Sequence, residues 1–118
     1  MRPKKPTLPK LTEKQIERSI LQYLYAKKIF CWKQNTVGVY NESRQCYMKP
    51  QSQFIISGVA DILGCHNSKL IAIEVKTPAR RKNLTDHQKH FLESINKSGG
   101  IAFVATCIED VQNMLELS

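Results

Sequence analysis

A short apolar segment at residues 70–76, with the sequence Leu-Ile-Ala-Ile-Glu-Val-Lys, constrains the fold of this chain more than any other. Side chains alternate between the two faces of a strand, so its three β-branched residues point to one face. Glu74 and Lys76 then lie side by side on the other face. Burying two charges costs several kcal/mol unless they pair or bind something. The apolar neighbours are typical of a central strand, and the alternative is a solvated salt bridge on an edge strand.

A second acidic residue, Asp61, opens the segment predicted as the preceding strand, residues 60–65. The residues between the two strands, 66–69, have an Asn-Ser centre that favours a turn. An antiparallel hairpin centred near residues 67 and 68 would place Asp61 beside Glu74, to within one residue. Two converging carboxylates form a site for a hard divalent cation.

The remaining periodicity predicts helices and strands around this hairpin. Thr12 and Gln15 have capping-box spacing before an amphipathic helix over 12–27, and Thr85 and Gln88 repeat that spacing before a helix over 86–97. Further predicted elements are a strand at 29–32, a hairpin with strands at 37–40 and 45–48, a strand at 101–106, and a last helix from Thr106 to near Leu117. We therefore expect an α/β fold, with a small mixed sheet flanked by helices.

The length and charge of the chain limit the classes of function. Its 118 residues suit one domain, predicted over residues 12–118 behind a flexible basic arm at residues 1–11. Apolar runs reach only about five residues, too short for a membrane span, and the basic start lacks the apolar segment of a signal peptide. The net charge of +8 favours a polyanionic partner. We expect a reducing compartment, and four free, mostly buried cysteines, because their spacing does not suit zinc.

Basic residues cluster near the predicted charged strand. The candidates for phosphate contacts are Lys33, Arg80, Arg81, Lys82, Lys89 and the lysines and arginine of the arm. No helix carries the Arg, Asn and Gln pattern that reads bases in a major groove, so shape is the expected basis of recognition. Three aromatic residues, Trp32, Tyr40 and Tyr47, could stack on bases or lie in a dimer interface, but packing in the core or hairpin is the favoured interpretation.

Asp61 followed by Glu74-Val75-Lys76 resembles the core motif of the PD-(D/E)XK nucleases. Within that superfamily the chain is similar to the VRR-NUC family of virus-type replication-repair nucleases. The matching segments extend from about residue 12 to 106 and comprise the helix with Glu13 and Glu17, residues 30–35, 57–64, 73–76 and 84–88, and the glycine pair 99–100. One departure is Ala60, where the family usually has proline before the acidic residue.

The resemblance implies a restriction-endonuclease-like mixed sheet with an extra β-hairpin, and roles for particular residues. Asp61, Glu74 and the main-chain carbonyl of Val75 would hold Mg²⁺ or Mn²⁺. Lys76 would orient or activate the attacking water. An acid of the first helix would complete the site, with Glu17 favoured over Glu13; the alternative for either is a solvated ion pair one helical turn away. Gln88 has two interpretations that are compatible, a capping-box side chain or a group near the scissile phosphate.

These inferences predict a metal-dependent, structure-specific DNA endonuclease. We expect branched DNA as the partner, and a homodimeric Holliday junction resolvase, because two symmetric cuts require two sites. The hairpin at residues 37–49 is the expected part of the dimer interface, and a phage or bacterial cytoplasm the expected location. The alternatives are a monomeric flap or branch nuclease, an inactive DNA-binding module with the same fold, and an RNA-directed nuclease.

Overall fold

The computed structural model describes residues 10–34, 39–41, 46–48 and 53–118 of the chain. In chain order the elements are α1 (Glu13–Ala26), β1 (Phe30–Lys33), β2 (Val39–Asn41), β3 (Cys46–Met48), β4 (Ile62–His66), β5 (Lys69–Val75), a 3₁₀ turn (Pro78–Arg80), α2 (Asp86–Lys97), β6 (Ile101–Ala105) and α3 (Ile108–Leu115). The predicted basic arm lies almost wholly outside the described residues and stays a prediction.

The main sheet has four strands in the order β1-β4-β5-β6. The first two pairings are antiparallel, whereas β5 and β6 run parallel because α2 connects them. The predicted α/β class is confirmed, and three helices flank a mixed sheet, which is consistent with a restriction-endonuclease-like fold. The predicted extra hairpin is confirmed as the antiparallel pair β2 and β3.

The charged segment occupies the central strand that its apolar residues predicted. A two-residue turn joins β4 and β5, with Asn67 and Ser68 at φ of 50° and 65°. Both angles suit the tight turns that match strand twist. The pairing of Ile62 with Ile73 makes Asp61 and Glu74 the next opposed positions. The predicted convergence of the two carboxylates therefore follows from the hairpin register, although Asp61 precedes β4 rather than opening it.

The two faces of the sheet pack against different helices. Ile71, Ile73 and Val75 are buried together with the apolar residues of α1 and α3. On the opposite face, Ala72 and Ala102 lie in a smaller cluster with Phe91 and Leu92 of α2. Small side chains in the strands allow α2 to approach the sheet closely. The alternation predicted for residues 70–76 is thus confirmed.

Helix starts agree with the predicted caps, except at α3. The capping boxes at Thr12 and Thr85 both form. The prediction that Thr106 begins the last helix is wrong, because Cys107 is the N-cap and Ile108 the first helical residue. The carboxylate of Asp110 accepts hydrogen bonds from both the backbone N–H and the hydroxyl of Thr106, which holds this residue outside the helix.

The cysteines depart from the expectation of mostly buried thiols. All three whose side chains are described are free. Cys31 is buried, and its burial raises the pKa of its thiol. Cys65 and Cys107 are exposed, because Cys65 lies at the far end of β4 and Cys107 precedes α3 at the surface. Within the described ranges, no helix has the length and apolar character needed to cross a membrane.

Candidate active site

Asp61 directly precedes β4 and is hydrogen-bonded to the strands on both sides of it. Its side-chain oxygen Oδ2 accepts a hydrogen bond from the backbone N–H of Val75 at 2.8 Å. Its main-chain carbonyl accepts one from the N–H of Gln34, just beyond β1, at 2.7 Å. These bonds connect Asp61 to β1 and β5, so the position of its carboxylate is set by the sheet itself.

Glu74 lies buried beside Asp61, with only 4% of its surface exposed. Its Oε1 accepts a hydrogen bond from Nε2 of Gln88 at 3.1 Å, and Nζ of Lys76 lies 3.9 Å from the same oxygen. The amide oxygen of Gln88 meanwhile accepts from the backbone N–H of Thr85 at 3.0 Å. Gln88 therefore both caps α2 and contacts Glu74, so the capping-box interpretation is confirmed and the residue also lies in the site.

The environment of Glu74 strongly favours its protonated form. Burial is the largest cause that raises its pKa, to about 8, and the negative charge of Asp61 is the next. Lys76 opposes the shift, whereas a hydrogen bond between the two carboxyl groups and the charge of Glu13 add to it. The positive charge of Lys76 therefore does not compensate for the burial of Glu74 and the negative charge of Asp61.

The two acids of α1 have different surroundings. Glu17 has a side chain that is 13% exposed and pairs with Nζ of Lys33 at 3.3 Å. Glu13 is exposed, and its charge is the one from α1 that raises the pKa of Glu74. The prediction that Glu17 rather than Glu13 acts in the site therefore stays a prediction, since the described contact of Glu17 is with Lys33 and it is Glu13 whose charge acts on Glu74.

The predicted phosphate-binding residues do not all lie in the same surroundings. Arg80, Lys82 and Lys89 are exposed, on the 3₁₀ turn, the loop that follows it, and the first turns of α2. Arg81 instead pairs with Asp110 at 3.3 Å and donates to the hydroxyl of Thr106 at 3.5 Å. No local sequence signal predicts this pairing, because the two residues are far apart in the chain. The role of all of them on DNA stays a prediction, as does that of Lys33.

Gly58 is a positioning residue that sequence reasoning did not single out. It has a φ of +77°, and a Cβ atom there would come within 2.4 Å of the backbone carbon of His87. Only glycine fits both demands without strain. The segment that leads to Asp61 can thus lie directly against the first turn of α2, which carries Gln88. The Ser57-Gly58 dipeptide, a turn signal, was the available clue.

The donor set of the site can be compared with what a divalent cation requires. Among the described residues, no group of three or more His, Cys, Asp and Glu side chains could hold a metal ion. Asp61 and Glu74 instead offer two carboxylates, with the Val75 carbonyl next in the chain. Mg²⁺ keeps several waters and commonly binds through one or two carboxylates. The residues present therefore fit such a cation.

Comparison with known proteins assigns the chain to a family. A family model described as recombination protein U matches residues 10–117. The chain belongs to the recombination protein U family. This family supports a nuclease of the Holliday junction resolvase type, related to the PD-(D/E)XK group, and thus a protein that binds branched DNA. It supports that part of the predicted resemblance and not the VRR-NUC label specifically. No curated protein matches the chain significantly.

Proposed function

We propose that this member of the recombination protein U family is a divalent-metal-dependent endonuclease that cuts Holliday junctions as a homodimer in the cytoplasm of a bacterial or phage-infected cell. The observation that carries the proposal is the convergence of Asp61, Glu74 and Lys76 at one end of the β4–β5 hairpin. Buried carboxylates beside a lysine cost free energy, and stability alone gives no reason to keep them.

Two carboxylates and one main-chain group would hold the cation. Asp61, Glu74 and the carbonyl of Val75 are the proposed ligands for Mg²⁺ or Mn²⁺. When bound, the cation supplies Lewis-acid polarisation of the scissile phosphate and a lower pKa for the attacking water. Because Asp61 accepts hydrogen bonds from the N–H of Val75 at its carboxylate and from the N–H of Gln34 at its main-chain carbonyl, its carboxylate needs little rearrangement to act as a ligand.

Lys76 and Gln88 act next to this carboxyl pair. The side chain of Lys76 is 14% exposed, so its ammonium group would meet a bound phosphate while keeping its contact with Glu74. Its charge would orient the attacking water and offset the negative charge that develops at phosphorus. Gln88 orients Glu74 through its amide N–H and thereby connects α2 to the site. Glu17 is the proposed acid of α1.

The dimer is proposed because one chain provides one site, whereas a four-way junction is resolved by two symmetric cuts. Ile55 and Ile56, in the segment that leads to Asp61, expose more than half of their surface. Exposed apolar residues of this size are suited to contact with another protein chain. The predicted contribution of residues 37–49 to the interface involves side chains outside the described residues.

Contacts to phosphates would supply most of the affinity for DNA. Lys82, Arg80 and Lys89 are free to approach a backbone, since all three are exposed. Lys33 and Arg81 form ion pairs with Glu17 and Asp110, but more than half of each basic side chain is exposed, so both would still contact phosphate. Such contacts position the duplex without reading its sequence, so recognition of the branch would depend on shape.

A cleavage panel tests this proposal. Four-way, flap, splayed and linear DNA are incubated with Mg²⁺, with Mn²⁺ and with EDTA. We expect symmetric cuts in the four-way junction with either metal ion and no cuts in EDTA. Two variants of β5 are compared, Lys76→Gln in the site and Lys69→Gln at the exposed start of the strand. Each removes one positive charge, and only Lys76→Gln should abolish cutting.

Four outcomes would overturn parts of the proposal. Equal cutting by the two lysine variants would contradict the role of Lys76. A particle that light scattering shows to be a strict monomer at micromolar concentration, with cuts in flaps instead, would replace the resolvase with a branch nuclease. Binding of junctions without any cleavage would identify an inactive DNA-binding module, and preference for a matched RNA junction would move the substrate to RNA.

A further inference from the structure

An apolar stripe continues from the candidate site along the same face of the sheet. Cys31 packs in the core beneath α1 and α3, so its neighbours in β1, Phe30 and Trp32, project to the opposite face. The register places Trp32 opposite Leu63, and Leu63 opposite Ala72. Glu74 is two residues beyond Ala72 and therefore shares this face. The cross-strand set of Trp32, Leu63 and Ala72 is therefore next to the set that contains Asp61 and Glu74, two residues further along each strand.

Helix α2 covers the part of this face that β5 and β6 form. Over β1, Phe30 and Trp32 remain 71% and 36% exposed, and Leu70 in the neighbouring row is 39% exposed. Packing in the core was one of the two favoured interpretations of Trp32, and it is wrong because this side chain is exposed. Packing on the hairpin stays a prediction, since the side chains of the hairpin lie outside the described residues. Two adjacent aromatic rings at the surface of a strand call for a partner.

These rings are held in place and connected to the site. The ring centroids of Phe30 and Trp32 lie 5.6 Å apart at an interplanar angle of 55°. The indole Nε1–H of Trp32 donates to Oε1 of Gln34 at 3.1 Å. The backbone N–H of Gln34 in turn donates to the carbonyl of Asp61 at 2.7 Å. A group stacked on Trp32 would thus sit a short, fixed distance from the carboxyl pair.

The charge around the stripe favours a polyanion as the partner. Residues 27–34 and 62–73 contain no Asp or Glu in a chain whose net charge is +8, and the exposed Lys28 lies just before β1. Lys33 and Lys69 alternate to the other face of the sheet, where Lys33 pairs with Glu17. Aromatic platforms beside basic groups are the means by which proteins bind unpaired nucleotides, since every base has a face that can stack.

We propose that Phe30 and Trp32 form a stacking platform for an unpaired nucleobase at the branch of the DNA, next to the strand to be cut. The proposal rests on the proposed function and adds to it a second contact, made to a base rather than to phosphate. Stacking does not depend on base identity, so the platform would select open, unpaired structure over continuous duplex without selecting sequence.

Trp32 is the single tryptophan of the chain, so its fluorescence reports on the platform directly. The wild-type protein is titrated in EDTA, which prevents cleavage, with a four-way junction, with continuous duplex, and with a junction that carries abasic sites at the branch. We expect the intact junction to quench the emission of Trp32 strongly. The abasic junction and the duplex should quench it several-fold less.

Binding by variants provides an independent measure. Trp32→Ala should weaken binding of the four-way junction about tenfold while changing duplex affinity little, and Trp32→Phe should restore most of the loss because a ring remains. Tyr25→Ala is the matched control, since Tyr25 is an exposed aromatic residue on α1. It should bind the junction as the wild type does. Thermal unfolding of each variant verifies that it folds.

The outcomes separate this inference from the proposed function. If the wild type cuts junctions but Trp32 emission is the same with intact and abasic branches, the stacking platform is wrong and the nuclease remains. If the emission changes with protein concentration and not with DNA, the stripe is a contact between two copies of the chain, which also overturns the platform. Failure of the wild type to bind any branched DNA would overturn both.

Discussion

The two faces of β5 differ in what their burial achieves. Ile71, Ile73 and Val75 are fully buried or nearly so on the face towards α1 and α3, where removal from water stabilises the fold. On the face towards α2, Glu74 is almost as deeply buried, yet its burial raises its pKa and disfavours its charge. The same seven-residue strand thus contributes stability on one side and a buried carboxyl group of raised pKa on the other.

This difference teaches that depth of burial alone does not reveal the role of a residue. The apolar face needs only shape and volume, whereas the face with Glu74 requires three matched partners: Asp61, Lys76 and Gln88. Substitutions on the two faces should therefore have opposite consequences. Changes at the apolar face should affect folding and leave the chemistry of the folded molecules intact, and changes at the other face should slow cleavage in molecules that still fold.

The largest expected effect is on cleavage, at Asp61. Asp61→Asn keeps an oxygen that can accept from the N–H of Val75 but removes the negative charge that a cation requires. We expect the rate of junction cutting to fall about a thousandfold, equivalent to about 4 kcal/mol of transition-state stabilisation. Single-turnover cleavage measures the rate, and urea unfolding should give a stability within about 1 kcal/mol of the wild type. A variant that cuts normally would contradict the assignment of Asp61.

The opposite face is tested by Ile73→Ala. Ile73 is fully buried, opposite Ile62, and its truncation leaves a cavity in the larger core. We expect the free energy of unfolding to fall by about 2–5 kcal/mol. The fraction of protein that remains folded should still cut at the wild-type rate. A large loss of rate per folded molecule would show that the two faces are not separable.

A smaller effect is expected from α1, where two acids can be compared directly. Glu17→Gln should slow cleavage about a hundredfold, and Glu13→Gln should slow it less than tenfold, since Glu17 is the proposed acid of α1. Both changes preserve shape and remove one charge. Parallel cleavage time courses at fixed Mg²⁺ provide the comparison. The reverse order of the two losses would transfer the role to Glu13.

The smallest effect concerns the glycine that lets the segment before Asp61 approach α2. Gly58→Ala places a Cβ atom 2.4 Å from the backbone of His87, whereas Gly99→Ala, at a φ of +94°, meets nothing within 4 Å. In both variants alanine must adopt a positive φ, which is unfavourable for any residue with a Cβ atom. We expect cutting to slow about tenfold for Gly58→Ala only, because a shift of Asp61 relative to Gln88 disturbs the site. Equal rates for the two variants would remove Gly58 from the positioning residues.

Local patterns were sufficient for much of this structure. Alternation in residues 70–76 predicted a central strand with Glu74 and Lys76 on one face, and the turn after residue 66 predicted the register with Asp61. Capping-box spacing predicted the starts of α1 and α2. These features depend on residues a few positions apart, so the sequence contains their determinants directly.

Features that depend on tertiary approach were not predictable in the same way. The contact of Gln88 with Glu74, the pairing of Arg81 with Asp110 and the demand for glycine at position 58 all arise between segments far apart in the chain. The exposure of Trp32 depends on where α2 ends relative to the sheet, which no local pattern specifies. An aromatic residue in a strand is therefore compatible with core and surface alike.

The central claim is that the buried carboxyl pair is kept for a cation, and Glu74→Gln tests it most directly when stability and cleavage are measured together. The carboxyl of Glu74 has an ordinary pKa of 4.5 and a pKa of about 8 in the fold. The folded state therefore binds more protons than the unfolded state between these values, so the stability of the wild type without cation should fall as pH rises from about 4.5 to 8.

Glutamine cannot ionise, so in EDTA the Glu74→Gln protein should lose less stability than the wild type over this pH range, by about 4 kcal/mol. Urea unfolding at a series of pH values measures this difference. Added Mg²⁺ should stabilise the wild type at pH 8 and leave the variant unchanged, while the variant no longer cuts four-way junctions. A variant that cuts junctions at the wild-type rate, or whose stability follows the same pH dependence and the same response to Mg²⁺, would contradict the account.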